Sequence, residues 1–462
     1  MLLSIGVGIV AGLGAILFDR LLGWTLHNVL ETFTGYAEPQ AGSSAASLFT
    51  FAPVRSPWFF LIPALGGLVS GVIVYFVAPE AEGPGIDAMI DAFHHRGGKI
   101  RKRVPFVKII ASAITIGTGG SAGKEGPIAQ IGSGFGSAFA SLLKLKARER
   151  RLLMLAGAAG GIGAIFQAPL GAALFAPEVL YRETEFEYEA ILPCIVSSIT
   201  AYAVYTQLYK GGLFFPGPVG FSLPGELLPY ALFGIVCAMT GFLYVRTLYG
   251  SRDRFFKPLR LHKMLNPAVG GLLLGTIAYA FPQVSDGGYG WIQMALEGKM
   301  FWGTMLLLAF LKILGTSCTI GSGGSGGVFG PSVFIGAMLG GAFGFLGHQV
   351  APEWVVNPGS FVLVGIGGFF AGIARTPISS VIMACEMCAS YTLLVPLMLV
   401  SSTSYLLLRN TSLFVKQQLS RIASPAHLTE FARGMLEKIH VHQRLTSARS
   451  PAFRKTCRSD TW

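Results

Sequence analysis

Apolar residues are grouped in long blocks along this chain, at positions 2–18, 58–77, 152–175, 230–245, 267–281, 305–314 and 378–408. Each block predicts a helix. Several are shorter than the roughly 20 residues a helix needs to cross a bilayer's hydrocarbon core. Short apolar segments broken by glycine predict helices that stop partway, which is tolerated only where backbone lines a cavity or is buried in protein.

Composition agrees with a membrane protein. Of 462 residues, 52% are hydrophobic and 13% charged, against a usual charged share of about 25%. The formal charge of +12 is concentrated at 96–103, 144–151, 252–263 and in the tail from Lys438, as positive-inside determinants beside membrane segments are. A nucleic-acid footprint needs a soluble basic domain, and none is visible. Six cysteines make no disulfide framework. Cys385 and Cys388 form a CxxC pair in an apolar run without a second pair, so they read as buried thiols rather than a zinc site. No metal or cofactor is expected. The first apolar block has no basic leader and no small-residue cleavage site, so it reads as a spanning or buried helix rather than a signal peptide.

An offset of 204 residues relates two parts of the chain. It places GGSAGKEGP at 119–127 on GGSGGVFGP at 323–331, and PALGGLVSG at 63–71 on PAVGGLLLG at 267–275. It also places Glu82 and Gly83 on Asp286 and Gly287. Further on, the block from Ala168 to Glu178 overlays Thr376 to Glu386 at an offset of 208. The chain is thus a duplication, with halves near 1–215 and 225–420. Duplicated membrane halves with broken helices point to a transporter or channel whose pathway lies at the repeat interface. A glycine-rich packing repeat is the plainer alternative; it explains the glycines but not the prolines.

Proline favours the first position of a helix, so Pro127 and Pro331 each predict a helix start. A helix N-terminus carries unpaired N–H donors and about half a positive charge, an anion site without any cationic side chain. Gly83, Pro84, Gly85, Ile86 and Asp87 make a third such opening, before an amphipathic stretch at 88–94. Three helix ends can surround one dehydrated anion. The copies differ at Lys124-Glu125 against Val328-Phe329. Ionised Glu125 can occupy the anion's place and leave it when protonated or displaced, which makes it a candidate gate; pairing with Lys124 is the alternative. Phe329 has no charge and contributes backbone amides.

These residues resemble the CLC family of chloride channels and chloride/proton antiporters. The family's GSGIP is matched by 83–87, its G(K/R)EGP by Gly123, Lys124, Glu125, Gly126 and Pro127, and its GxFxP by Gly327, Val328, Phe329, Gly330 and Pro331. The resemblance covers most of residues 1–420. It implies an all-helical homodimer of inverted repeats, with many short tilted helices and a pore in each subunit. It makes Glu125 the gating glutamate, with Gly83, Pro84, Gly85, Ile86, Lys124, Gly126, Gly327, Val328 and Phe329 around the anion.

Two family hydroxyls are missing. The serine position holds Pro84, and the tyrosine position near the last helix falls on Phe414. Family members that favour nitrate resemble this chain in carrying proline there, so nitrate is expected to pass beside chloride. The inner proton-relay glutamate of family antiporters follows Glu178, where this chain has Val179. Valine there, with Lys124 in the gating motif, resembles family channels. The resulting expectation is passive anion conduction, with chloride/proton antiport through Glu125 as the alternative.

The glycine run at 321–327 lacks the Lys-Ser/Thr ending of a phosphate loop, so no enzyme is expected. A sodium-coupled solute carrier is a further reading on repeat logic alone. The lipid bilayer is the expected setting, in the plasma membrane of a prokaryote. Residues 421–462 are expected to form a short basic tail or a truncated linker, too short for the paired nucleotide-sensing domains of many relatives.

Overall fold

The computed structural model describes residues 1–39, 56–209, 215–216, 220–221, 224–259 and 261–427. Its longer helices form two sets of eight in matching order. The first set is α1 (Leu2–Thr25), α2 (Trp58–Val77), α3 (Ile86–His95), α4 (Val104–Gly117), α5 (Glu125–Leu142), α6 (Ala147–Phe166), α7 (Pro169–Glu178) and α8 (Tyr188–Thr206). The second is α9 (Leu227–Gly250), α10 (Asn266–Ala280), α11 (Tyr289–Leu296), α12 (Trp302–Gly321), α13 (Phe329–Val350), α14 (Pro358–Ala374), α15 (Pro377–Cys388) and α16 (Leu394–Leu407). No strand forms among the described residues, only two isolated bridges. The all-helical membrane fold expected from the sequence is the one observed. Most of the tail expected at 421–462 lies outside the described residues.

Among the described residues, six helices are long and apolar enough to cross a membrane. Their outward faces are apolar at helical spacing, as with exposed Leu61, Leu65 and Val69 on α2 and Leu228, Leu232, Ile235 and Met239 on α9. Such faces suit a bilayer and would be costly in water. The apolar runs at 152–175 and 378–408 were each expected as one helix, but each is two. In the first, Gln167 turns left-handed at φ 54° and Ala168 extends before Pro169. Arg375 and Thr376 repeat this before Pro377. A residue before proline is pushed out of the helical region, so hydropathy alone could not show the break. Ala389, left-handed at φ 47°, ends α15 in the second run.

The halves interlock around a pseudo-two-fold axis. A Cβ on Gly67 would lie 2.2 Å from the Pro267 carbonyl oxygen, and one on Gly271 would lie 2.1 Å from that of Pro63. The repeated PAxGGL block therefore packs against its own copy, where only glycine fits. Glu178 at the end of α7 accepts N–H bonds from Ile378 (3.1 Å) and Ser379 (2.8 Å) at the start of α15. Glu386 on α15 returns the arrangement, accepting from Leu170 (3.1 Å) and Gly171 (2.6 Å) at the start of α7. Each carboxylate caps the other half's helix, satisfying donors that would otherwise be unpaired.

Two buried lysines repeat as well. Lys108 Nζ donates to the carbonyls of Ala81 and Gly83, and Lys312 Nζ to those of Val284, Ser285 and Asp286. These bonds correct the alignment before α3 and α11. Gly83 matches Asp286 rather than Gly287, since both have positive φ (69° and 52°) and both bind their half's lysine. The local offset is 203, so Ile86 and Tyr289 are equivalent helix starts.

Gly271→Ala should lower the thermal midpoint of the detergent-solubilised protein, because overpacking against backbone costs about 1–3 kcal/mol. Gly23→Ala, where an added Cβ meets nothing within 4 Å, should not lower it. Equal midpoints for the two variants would refute this account of the crossing.

Candidate functional site

The glycine-rich loops before α5 and α13 meet antiparallel. Gly123 N–H donates to the Gly327 carbonyl at 2.8 Å, and Gly327 N–H donates to that of Gly123 at 2.7 Å. A third loop joins them, with Gly326 N–H donating to the Gly83 carbonyl at 3.3 Å. Gly85 has φ 88°, and a Cβ there would lie 2.7 Å from the Gly126 carbonyl oxygen. A Cβ on Gly126 would lie 2.2 Å from that of Pro84. The three helix starts expected from sequence are thus brought together. The helices begin two residues earlier than expected, at Glu125 and Phe329 rather than at the prolines. Pro127 and Pro331 are third residues, where a missing N–H still leaves no helix bond unmade.

Glu125 is 1% exposed. Its Oε2 accepts from the Gly330 N–H at 3.1 Å, and its Oε1 from the Tyr289 hydroxyl. The carboxylate of one half therefore sits at the helix N-terminus of the other, where an anion would be held. Lys124 does not pair with it. Lys124 Nζ donates to Asp19 at 3.0 Å, and Asp19 also accepts from the Tyr205 hydroxyl at 3.1 Å. Val328 is fully buried, and Phe329 packs its ring on Phe370, Phe166 and Phe175 at centroid distances of 4.2, 4.8 and 6.3 Å. Those rings anchor the α13 start that presents the Gly330 amide.

A cavity of about 440 Å³ opens beside the third loop, lined by Gly83, Pro84, Asp87, Tyr249, Val415 and Lys416. Arg96, Lys99, Arg101 and Arg252 line its rim. Basic runs from distant parts of the chain converge there, which marks this as the inner side by the positive-inside rule. Ile86 is buried at 1% exposure, and Phe414 is fully buried next to the cavity residues Val415 and Lys416. The hydroxyl missing at Phe414 has a neighbour: Tyr249 donates to the Leu413 carbonyl at 2.5 Å.

Val179 is fully buried, and its carbonyl accepts from Gln417 Nε2 at 2.9 Å. Sequence reasoning missed Tyr289, Tyr249, Lys108 and Lys312. The repeat carried a signal for Tyr289 as the counterpart of Ile86, but a one-residue slip hid it. The lysines are at the repeat's own offset of 204 and were visible in principle.

A family model described as voltage gated chloride channel matches residues 66–409. The chain is similar to the H(+)/Cl(-) exchange transporter ClcA of Vibrio cholerae, 31% identical over 87% of this chain and 84% of that one. It is also similar to a ClcB-like protein of Ralstonia nicotianae that carries a chloride-channel name, 30% identical over 76% of this chain and 82% of the other. A solved cyanobacterial Cl-/H+ antiporter matches in fold, with TM-score 0.74 and 21% identity, covering 95% of this chain and 98% of that one.

The passive channel expected from Val179 and Lys124 does not stand. The ClcA relative, matched over more of the chain, is named an exchanger. Val179 and Lys124 were too narrow a basis for excluding coupling, because two positions leave out what the fold packs around them.

Tyr289→Phe removes one of the two hydrogen bonds observed on Glu125. A bond to a charged group contributes about 1.5–3 kcal/mol, so chloride should displace the carboxylate at roughly ten- to hundredfold lower concentration. Chloride flux from proteoliposomes at graded chloride would show it, and an unchanged half-saturation would remove Tyr289 from the gate.

Proposed function

The chain belongs to the voltage gated chloride channel family, and from that premise we propose that it exchanges chloride for protons across a membrane. The observation that carries this reading is the Glu125 carboxylate held by the Gly330 amide and the Tyr289 hydroxyl. An ionised carboxylate and a chloride ion compete for the Gly330 amide, so each leaves as the other arrives. Protonation removes the charge that holds Glu125, and the released amide then takes the anion. Glu125 so carries a proton on the outer part of the route. Binding by backbone dipoles rather than a full cation keeps the anion's affinity low enough for release. The name of the Vibrio cholerae relative supports the same reading.

The protein is read as a homodimer in the plasma membrane of a prokaryote, with no enzymatic activity. Pro84 at the serine position supports passage of nitrate as well as chloride.

A chloride gradient across protein-loaded liposomes should drive protons uphill. Glu125→Gln should abolish that movement, keep chloride flux and remove most of its pH dependence. Chloride flux with no proton movement in the wild-type protein would overturn the exchanger. Pro84→Ser should shift selectivity from nitrate toward chloride; an unchanged nitrate-to-chloride flux ratio would discard the role given to Pro84.

A further inference from the structure

Exchange by Glu125 needs a second proton station on the inner side, since a proton cannot cross the protein interior as an unsolvated charge. The two positions that follow from sequence cannot serve. Val179 is apolar, and the Glu178 carboxylate is held by the Ile378 and Ser379 amides and the Ser379 hydroxyl at 2.5 Å. Its bonds are those of a helix cap.

A different buried carboxylate lies a few residues on. Glu187, immediately before α8, is 2% exposed. Its Oε2 accepts from the Tyr181 hydroxyl at 2.9 Å and lies 2.9 Å from His427 Nε2, while Arg421 approaches its Oε1 at 3.4 Å. Glu386 is held by two backbone amides and Glu178 by two amides and a serine hydroxyl, whereas the partners of Glu187 include a histidine, an arginine and a tyrosine. Glu185 accepts from the Arg421 backbone N–H, and Glu189 pairs with Arg148. His94 completes the surroundings, with Nδ1 at 2.7 Å from Ser424 Oγ, Nε2 at 3.2 Å from the Leu180 carbonyl and its ring 5.6 Å from that of Tyr181.

Through the His94–Tyr181 ring contact the cluster adjoins α3, the helix that starts at the anion site. His94 is near the inner end of α3, whose start at Ile86 adjoins the three-loop junction. At 1.5 Å per residue, their separation of eight positions spans about 12 Å. His427 keeps 6% exposure.

Resting on the exchanger reading, we propose that His427 and Glu187, with Tyr181, form the inner proton-exchange station of this protein, in place of a carboxylate at 179. Burial pushes the Glu187 carboxyl up, but the hydrogen bond from His427 and the charges of His427 and Arg421 outweigh it and hold the carboxyl below its usual range. Its partner His427 is an imidazole, the side-chain type whose ordinary pKa of about 6.5 is nearest neutrality. A proton from the inner solution charges His427, crosses to Glu187 Oε2 and leaves on water toward Glu125. The imidazole is then neutral and the carboxylate ionised again, so one proton has moved and no other bond has changed.

The test records chloride and proton flux together in liposomes for wild type, Glu187→Gln, His427→Gln and the double variant Glu187→Gln with Val179→Glu. Proton flux should fall roughly tenfold or more in both single variants, with chloride flux within about twofold of wild type. The double variant should recover proton flux, because it returns a titratable group to the inner side. Wild-type proton-to-chloride ratios in both single variants would overturn the station while leaving the exchanger intact. Parallel loss of both fluxes in both single variants, unrelieved in the double variant, would make the cluster a structural tie and overturn it too. Wild-type protein that moves no protons would overturn the exchanger reading and this one with it.

Discussion

Backbone N–H groups at a helix start have no partner in the helix, and hydrocarbon offers none. Two helices that start inside a membrane protein must therefore find acceptors for those donors. In this chain the loops before α5 and α13 take part of the demand by bonding to each other through Gly123 and Gly327. The Gly330 donor that remains is met by a carboxylate from the opposite half. The unmet need of a helix end is thus what makes an anion site, and Glu125 is the internal anion that fills it.

Symmetry supplies the frame and its local breakdown supplies the chemistry. Reciprocal caps by Glu178 and Glu386, paired buried lysines, and the Gly67 and Gly271 crossings are shared by both halves. Function is concentrated where the copies differ. Glu125 faces a half that has Phe329 at its place, and the hydroxyl that reaches the carboxylate comes from Tyr289, where the first half has Ile86. One half contributes the movable charge. The other contributes the donors that hold it.

The inner side follows another logic. Its cations come from three stretches far apart in sequence, holding Arg96 with Arg101, Arg252, and Lys416, gathered around one cavity. Carboxylates share the lining, with Arg96 and Lys416 paired to Asp91 and Arg101 to Glu80. The Glu187 cluster is built from the α7–α8 connection and the segment after α16, joined by the Tyr181–Gln418 bridge.

Much of the fold was legible in the residues. Apolar blocks located the helices, the 204-residue offset revealed the duplication, and the unequal copies singled out Glu125, because local composition and repeated spacing are properties of a linear chain. Tertiary structure decided the rest. Whether Lys124 pairs with Glu125 or with Asp19 depends on where α1 packs. The Tyr289 hydroxyl and the Gly330 amide reach one carboxylate only because the two halves fold against each other. Val179 could be read from the sequence as an absence, but the His427–Glu187 contact spans 240 positions. Side chains that far apart meet through the packing of α7, α8 and the segment after α16, and no local pattern in the sequence encodes such a contact.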